Sequence, residues 1–459
     1  MTVIARRLFT VGALALLAVF STVSAAPQQP ATPRTAFSVT TTDDSGAGSL
    51  RQAMLDANAD TSGAHTITFA VTGTINLLSA LPTITQPMTI AGPGANQLTI
   101  SGNNTFGIFS LQNTLSISGV TVRGGHAPNI AFSGGFQAGA SLTVDNCVIR
   151  DNTSGGGTGS AIAVFTGTTT VTNTLFTNNT GNILMHAGNV SVSNTTFSNN
   201  VAQAVYYFPD SGPASATLQN VTIADQGNAI FFDGRFGAMS LTIGNTILAS
   251  TNVNAVSVGT TVPTITSLGG NIVDDATLAI AGPGDLLNTP PVLAPLANYG
   301  GPIATHALLP GSPAIDHGVA AGAPAADQRG IARPQLAAVD TGAYESRGFA
   351  IALSGGNNQI AMLNSAFANP LAVGVTANVA GEPVDGGLVT YVPPASGATA
   401  ALSPNPATVS AGVAGTTATA NGTLGTYVVT ASAAGASGTV SFNLENSTTP
   451  VTLQAFDVE

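Results

Sequence analysis

The side chains that could do chemistry form two groups, and the first contains two arginines and two carboxylates. Arg123 and Arg150 occupy matching positions beside a repeated motif, and Asp145 and Asp151 lie close to Arg150 in the chain. A polysaccharide lyase uses a basic side chain beside carboxylates that hold Ca²⁺, whereas a glycoside hydrolase uses paired carboxylates. These four residues are therefore either an active site or a structural cluster in which carboxylates neutralise stacked arginines. We interpret them as a structural cluster.

A second group of ionisable side chains lies between residues 288 and 345. It consists of Asp316, Asp327, Asp340, Glu345, Arg329 and Arg333. Four carboxylates could bind Ca²⁺ or take part in acid/base chemistry. The alternative, which we favour, is a network of ion pairs that locks irregular backbone at the end of the predicted stack of strands. The sequence therefore predicts no catalytic, cofactor-binding or metal-binding residues.

The composition excludes several other kinds of chemistry. All ten basic residues are arginine, so there is no lysine for a Schiff base or a phosphate-binding loop. Cys147 is the only cysteine, which rules out an internal disulfide and favours a small core residue. The formal net charge of −11 disfavours nucleic acid, because nucleic-acid binding depends on clustered arginine and lysine.

A short motif repeats through the middle of the chain. It reads apolar-x-apolar-x-Asn-x-x-apolar, and its asparagines are Asn146, Asn173, Asn194, Asn220 and Asn245, with Gly119 in an earlier copy. Alternating apolar residues indicate short strands, and their recurrence every 21 to 27 residues indicates a solenoid. Helical repeats are excluded because threonine, valine, asparagine and glycine are weak helix formers. The sequence predicts a parallel β-helix whose asparagines form a hydrogen-bonded ladder; sugar binding by these asparagines is the weaker alternative.

The N-terminal region has the pattern of an export signal. Arg6 and Arg7 precede the apolar residues 8–20, and a cleavage site of small residues ends at Ala25. We predict a signal peptide over residues 1–25, for general or twin-arginine export, and a linker over residues 26–36. The apolar run is too short for a membrane-spanning helix, and no second run of that kind follows it.

Residues 37–347 are predicted to form the β-helix together with its two caps. Ser49 and Gln52 have the spacing of a capping box, which predicts a short amphipathic helix over the N-terminal end of the stack. Short alternating runs separated by Gly, Pro and Asn turns predict a β-sandwich over residues 348–446, and residues 447–459 form a tail.

Two parts of the chain resemble known families. The stretch FSVTTTDDSGAGSLRQAMLDANAD and the elements LLPGSPAID, DQRG and DTGAYE resemble the choice-of-anchor Q family of exported bacterial right-handed β-helix proteins. The stretches NSAFANPLAVGVT, GEPVDGGLVTYVPPASGATA and GTYVVTASAAG resemble bacterial Ig-like domains of the invasin and intimin type. The resemblances imply an all-β chain, a right-handed parallel β-helix (solenoid) followed by an Ig-like β-sandwich, and they supply no catalytic residues.

Two functions from different classes remain. The first is a secreted or cell-surface, non-catalytic protein that adheres to glycans or other surfaces, with the Ig-like domain as a spacer. The second is an extracellular polysaccharide lyase or glycoside hydrolase that acts on the flank of the β-helix. Because both enzymes and binding proteins use this fold, the fold alone does not decide between them. We expect a bacterial extracellular protein that is not an enzyme, with no cofactor, no nucleic-acid partner and no transmembrane segment in this chain.

Overall fold

The computed structural model describes residues 36–127, 133–155, 159–207, 209, 213–235 and 237–449. Within those ranges one helix, Leu50–Ala59, accompanies a large number of short strands. The predicted signal peptide, the linker up to residue 35 and the tail from residue 450 lie outside the described residues.

Three parallel sheets form the first part of the fold, and each full coil of the chain contributes one strand to each sheet. Sheet 1 contains Ala36–Val39, His65–Phe69, Met88–Ala91, Leu115–Ser118, Leu142–Asp145, Thr168–Thr172, Asn189–Ser193, Ala214–Gln219, Met239–Gly244 and Thr264–Gly269. Sheet 2 contains Gly73–Asn76, Leu98–Ser101, Thr121–Arg123, Val148–Arg150, Leu175–Thr177, Thr196–Ser198, Thr222–Ala224, Ile247–Ala249, Ile272–Val273 and Leu286–Leu287. Sheet 3 contains Phe109–Leu111, Phe136–Ala138, Ile162–Val164, Leu184–His186, Gln203–Tyr207, Asn228–Gly234 and Val253–Gly259. A further parallel pair joins His126–Ala127 to Thr153–Ser154. The predicted parallel β-helix is confirmed.

The apolar positions of the repeated motif form the core of the β-helix. In sheet 1 they are Ile117, Val144, Val171, Val192, Leu218 and Ile243, which follow one another in register and are fully buried. In sheet 2 the matching positions include Phe176 and Phe197, whose rings stack with centroids 4.6 Å apart. Since successive side chains of a strand point to opposite faces, the intervening polar residues of each strand face outward.

The motif asparagines occupy the corner between sheets 1 and 2, and backbone conformation explains their presence. Their φ angles lie between 44° and 53°, and Gly119 has φ 63° at the same position. This left-handed region is costly for most residues and is tolerated by asparagine and glycine. The predicted ladder along this column is mostly wrong: only Asn245 donates to its neighbour, with Nδ2 3.3 Å from Asn220 Oδ1.

A buried amide ladder does exist, but at the corner that follows sheet 2. Asn152 Nδ2 donates to Asn179 Oδ1, Asn179 Nδ2 to Asn200 Oδ1, and Asn200 Nδ2 to Gln226 Oε1, each over 3.0 Å. The four side chains are almost fully buried. Each follows a motif asparagine by six residues, a regularity that is visible in the sequence.

The predicted helix at the N-terminal end is confirmed. Ser49 Oγ accepts a hydrogen bond from the backbone N–H of Gln52 at 3.2 Å, which is the capping contact expected. Leu50, Met54 and Ala57 are buried on one face of the helix, against the first strands of sheet 1.

The segment predicted to cap the far end of the stack instead runs back along the outside of sheet 2. Asn194 Nδ2 donates to the carbonyl oxygen of Ala326 at 2.7 Å, and the N–H of Ala343 donates to Thr222 Oγ1 at 2.9 Å. Thr196, which faces outward from sheet 2, is fully buried by this cover. The predicted position at the end of the stack was therefore wrong. Local sequence patterns could not reveal the true position, because the contacts that fix it join residues more than a hundred positions apart.

Residues after 348 form a separate β-rich region of two five-stranded, largely antiparallel sheets. Sheet 4 contains Ala400–Ser403, Val413–Ala420, Leu371–Ala377, Phe349–Gly355 and Ala436–Ser437. Sheet 5 contains Gln359–Met362, Val440–Ser447, Gly425–Ser432, Leu388–Val392 and Ala407–Thr408. Their buried side chains form one hydrophobic cluster that also includes Leu308, Ile315 and Tyr344 of the preceding segment. The core of this region is therefore continuous with the segment that covers sheet 2.

Candidate functional site

The structure does not assemble the four residues of the predicted Arg–Asp cluster into one site. Arg123 and Arg150 are register partners in sheet 2, as expected, and Arg150 Nη1 lies 2.9 Å from Asp151 Oδ2. Asp145 lies at the other end of the sheet 2 strand, in the corner with sheet 1. There its carboxylate accepts hydrogen bonds from Thr172 Oγ1 at 2.6 Å and from Asn173 Nδ2 at 2.8 Å.

The second ionisable group forms a network of buried ion pairs. Arg329 lies 2.8 Å from Asp327, and Arg333 lies 2.7 Å from Glu345, with all four side chains almost completely buried. Asp340 accepts a hydrogen bond from the N–H of Asp316 at 2.7 Å, and burial raises the pKa of Asp340 well above its ordinary value.

These contacts hold the irregular backbone that covers sheet 2. Within the described ranges, no group of three His, Cys, Asp or Glu side chains lies close enough to hold a metal ion.

The outer face of sheet 1 presents an uninterrupted column of hydroxyl groups. Nine successive strands place a threonine or serine at the same register position: Thr66, Thr89, Ser116, Thr143, Thr170, Ser191, Thr217, Thr242 and Thr266. Parallel neighbours are about 4.8 Å apart, so the column repeats at that spacing along the stack. All nine side chains are at least partly exposed, and none makes a side-chain hydrogen bond to another described residue.

A polar cleft opens between the covering segment and the corner that joins sheets 1 and 2. Asn146, Asn173 and Asn194 form one wall, and residues 326–330 with Pro302 and Pro324 form the other. Its volume is about 250 Å³. Asn194 is only 6% exposed, and its Oδ1 has no hydrogen-bond partner.

A second cleft brings together ionisable residues that we did not predict from the sequence. Asp225, Asp274 and His306 line a volume of about 460 Å³ between the coils and the covering segment. His306 Nδ1 lies 2.8 Å from the carbonyl oxygen of Ala294, and Nε2 lies 2.9 Å from Ser198 Oγ and 3.8 Å from Asp225.

The electrostatics of this second cleft follow from burial. Burial lowers the pKa of His306 and raises that of Asp274. His306 is therefore held neutral, with Nδ1–H donating to Ala294 and Nε2 accepting from Ser198. Sequence spacing gives no signal for this group, because Ser198 and His306 are 108 positions apart.

Comparison with known proteins agrees with this architecture. Residues 91–248 match the family model described as "Right handed beta helix region". The central part of the chain is a right-handed β-helix. No curated protein matches the chain.

A search of solved structures finds similarity to one described as "Geobacillus virus E2 - ORF18", at 10% sequence identity. The alignment covers 91% of this chain and 80% of that one, with a TM-score of 0.20, which is too low to indicate a shared fold. In the part of the chain that the structure describes, no helix is long and apolar enough to cross a membrane.

Proposed function

We propose that this protein is a secreted or cell-surface, non-catalytic β-helix protein that adheres to glycans through the outer face of sheet 1. The observation that carries the proposal is the column of nine outward hydroxyl groups, none of which is hydrogen-bonded through its side chain to another residue that the structure describes. Each hydroxyl contact contributes only about 0.5–1.5 kcal/mol net, but a rigid array makes many contacts with little further ordering cost. A ligand that itself repeats, such as a polysaccharide, can use such an array fully.

The proposal also includes export, membership of the choice-of-anchor Q family and a spacer role for the C-terminal region. Support for export comes from the signal-peptide pattern of residues 1–25, and support for the choice-of-anchor Q family comes from the sequence elements between residues 37 and 345. The two largely antiparallel sheets after residue 348 suit the Ig-like domain that the sequence resembles. We assign this domain the role of a spacer.

Retention on insoluble polysaccharides tests the adhesion proposal. We expect the full chain to bind at least one of cellulose, chitin, xylan and mannan. The double variant Thr170→Glu, Ser191→Glu places two carboxylates on the neutral hydroxyl face and should weaken binding at least about tenfold, because each charge must be desolvated. The control Thr390→Glu, Thr426→Glu alters exposed threonines of sheet 5 and should bind like the parent. Failure of the parent protein to bind any of the four polymers would refute the proposal.

The alternative function is a polysaccharide lyase or glycoside hydrolase, and the second cleft is its best-supported location. A carboxyl group with a raised pKa, Asp274, suits a general acid, and the more exposed Asp225 suits a base.

We expect no new reducing ends and no unsaturated products on acidic or neutral polysaccharides, with or without Ca²⁺. Turnover that disappears in Asp274→Asn would favour the hydrolase, and turnover that disappears in Arg150→Ala would favour the lyase.

A further inference from the structure

We infer that the cleft beside Asn146, Asn173 and Asn194 is a binding subsite for a single neutral sugar residue. The inference rests on the proposed function, because the sugar is taken to belong to the glycan that lies on sheet 1.

One wall of the cleft carries the side-chain amides of three asparagines. Asn194 donates through Nδ2 to Ala326, which fixes its amide orientation and leaves its buried Oδ1 unpaired. A buried polar atom without a partner costs about 1–3 kcal/mol. Because almost none of this oxygen is exposed, the side chains of this wall that a ligand can reach are the half-buried Asn146 and Asn173.

Asn146 and Asn173 extend this acceptor wall along the coils. Both direct Nδ2 to the carboxylate of Asp145, at 3.1 Å and 2.8 Å respectively. With their amino groups occupied in this way, no described residue donates to either amide oxygen. The hydroxyl groups of a sugar are donors that match these two amide oxygens on neighbouring coils.

The charges around the cleft favour a neutral ligand over an acidic one. The carboxylate of Asp145 lies directly behind two of the three amides. Arg329, the cation of the opposite wall, already contacts Asp327 at 2.8 Å and the carbonyl oxygen of Tyr299 at 3.0 Å. A sugar carboxylate would therefore meet a negative charge and find the arginine engaged.

The size and position of the cleft indicate one sugar ring rather than a chain segment. Its volume of about 250 Å³ is below the range of about 300–1,000 Å³ that is usual for drug-sized ligands. Each cleft asparagine directly follows the last outward residue of a sheet 1 strand: Asp145, Thr172 or Ser193. A glycan on the hydroxyl column can therefore place a terminal or branching residue in the cleft.

The matched variants replace asparagines whose backbone is left-handed, a conformation that glycine also adopts. Gly119 occupies the same corner in an earlier coil, so Asn173→Gly removes the amide while keeping a compatible backbone. Asn178→Gly is the control, because Asn178 has φ 55° at the next corner and is exposed outside the cleft. Circular dichroism and thermal melting check that both variants fold. If Asn173→Gly does not fold, Asn146→Gly is used in its place.

The subsite is tested by calorimetric titration of the full chain, which measures its affinity for cellohexaose, xylohexaose, mannohexaose and hexagalacturonic acid. We expect one neutral hexaose to bind at least about tenfold more tightly than the acidic one. Asn173→Gly should weaken that binding at least about fivefold, the equivalent of one hydrogen bond, while Asn178→Gly leaves it unchanged.

The inference would be overturned if the protein preferred the acidic oligosaccharide. It would also be overturned if the parent protein, Asn173→Gly and Asn178→Gly bound the neutral hexaose with equal affinity. If those affinities are equal but the parent protein is still retained on insoluble polysaccharide, only the subsite is refuted. Loss of retention by the parent protein would refute the proposed function itself.

Discussion

Replacing Asn179 by alanine should destabilise the β-helix by about 4 kcal/mol. Asn179 Oδ1 accepts from the backbone N–H and Nδ2 of Asn152, at 3.1 Å and 3.0 Å, and its Nδ2 donates to the carbonyl of Ile149 and to Asn200 Oδ1, at 2.9 Å and 3.0 Å. Each hydrogen bond contributes about 1 kcal/mol net, so four give about 4 kcal/mol. The site is fully buried, so water cannot easily replace the lost partners. This loss is a large share of the roughly 5–15 kcal/mol that stabilises a typical protein.

Urea unfolding followed by far-ultraviolet circular dichroism measures the change, since the chain has no tryptophan to serve as a fluorescent probe. The control is Asn178→Gly, an exposed neighbour for which we expect a change below about 1 kcal/mol. A loss of less than about 1 kcal/mol in Asn179→Ala, or equal losses in both variants, would show that the amide ladder does not stabilise the stack.

Four further predictions concern pH, reactivity, the core and export. Burial lowers the pKa of His186 from 6.5 to about 4, so the fold holds the neutral form, and the free energy of unfolding should fall by up to about 3 kcal/mol as the pH drops from 6.5 to 4. His186→Phe should lack this part of the pH dependence in urea titrations at pH 7 and pH 4. Burial raises the pKa of Cys147 to about 12, so its thiol should react with a disulfide reagent only after unfolding; rapid reaction in the native protein would contradict this. Val171→Asp buries a charge in the core and should make the coils protease-sensitive, which limited proteolysis would detect. We expect the protein isolated from its own cells to begin near Ala26 in N-terminal sequencing; a product that retains Met1 would argue against the signal peptide.

The amino-acid sequence by itself determined the coil architecture. Alternation of apolar residues identified the strands, and the recurring motif aligned Val144 with Val171 and Val192 in one buried column. The helix after Ser49 followed equally from local spacing. These features could be predicted because neighbouring coils repeat the same local pattern. Each strand therefore pairs with strands that carry apolar residues at the same positions.

Local sequence did not determine which polar residues perform which role. The motif asparagines looked like a ladder, but their left-handed backbone is what the corner requires, and the ladder lies six residues further on. Asparagine occurs at both positions, and the two roles differ in backbone conformation, which is left-handed at the motif position and not at the ladder position.

Only the tertiary structure decided the candidate sites. The cleft at Asn194 and the contact between Ser198 and His306 exist because the segment before residue 345 folds back over sheet 2 rather than ending the stack. Its position depends on hydrogen bonds and buried ion pairs between residues that are far apart in the chain, including Arg329 with Glu382. Contacts of that kind leave no periodic trace in a sequence, because each is made once and depends on the shape of the finished β-helix.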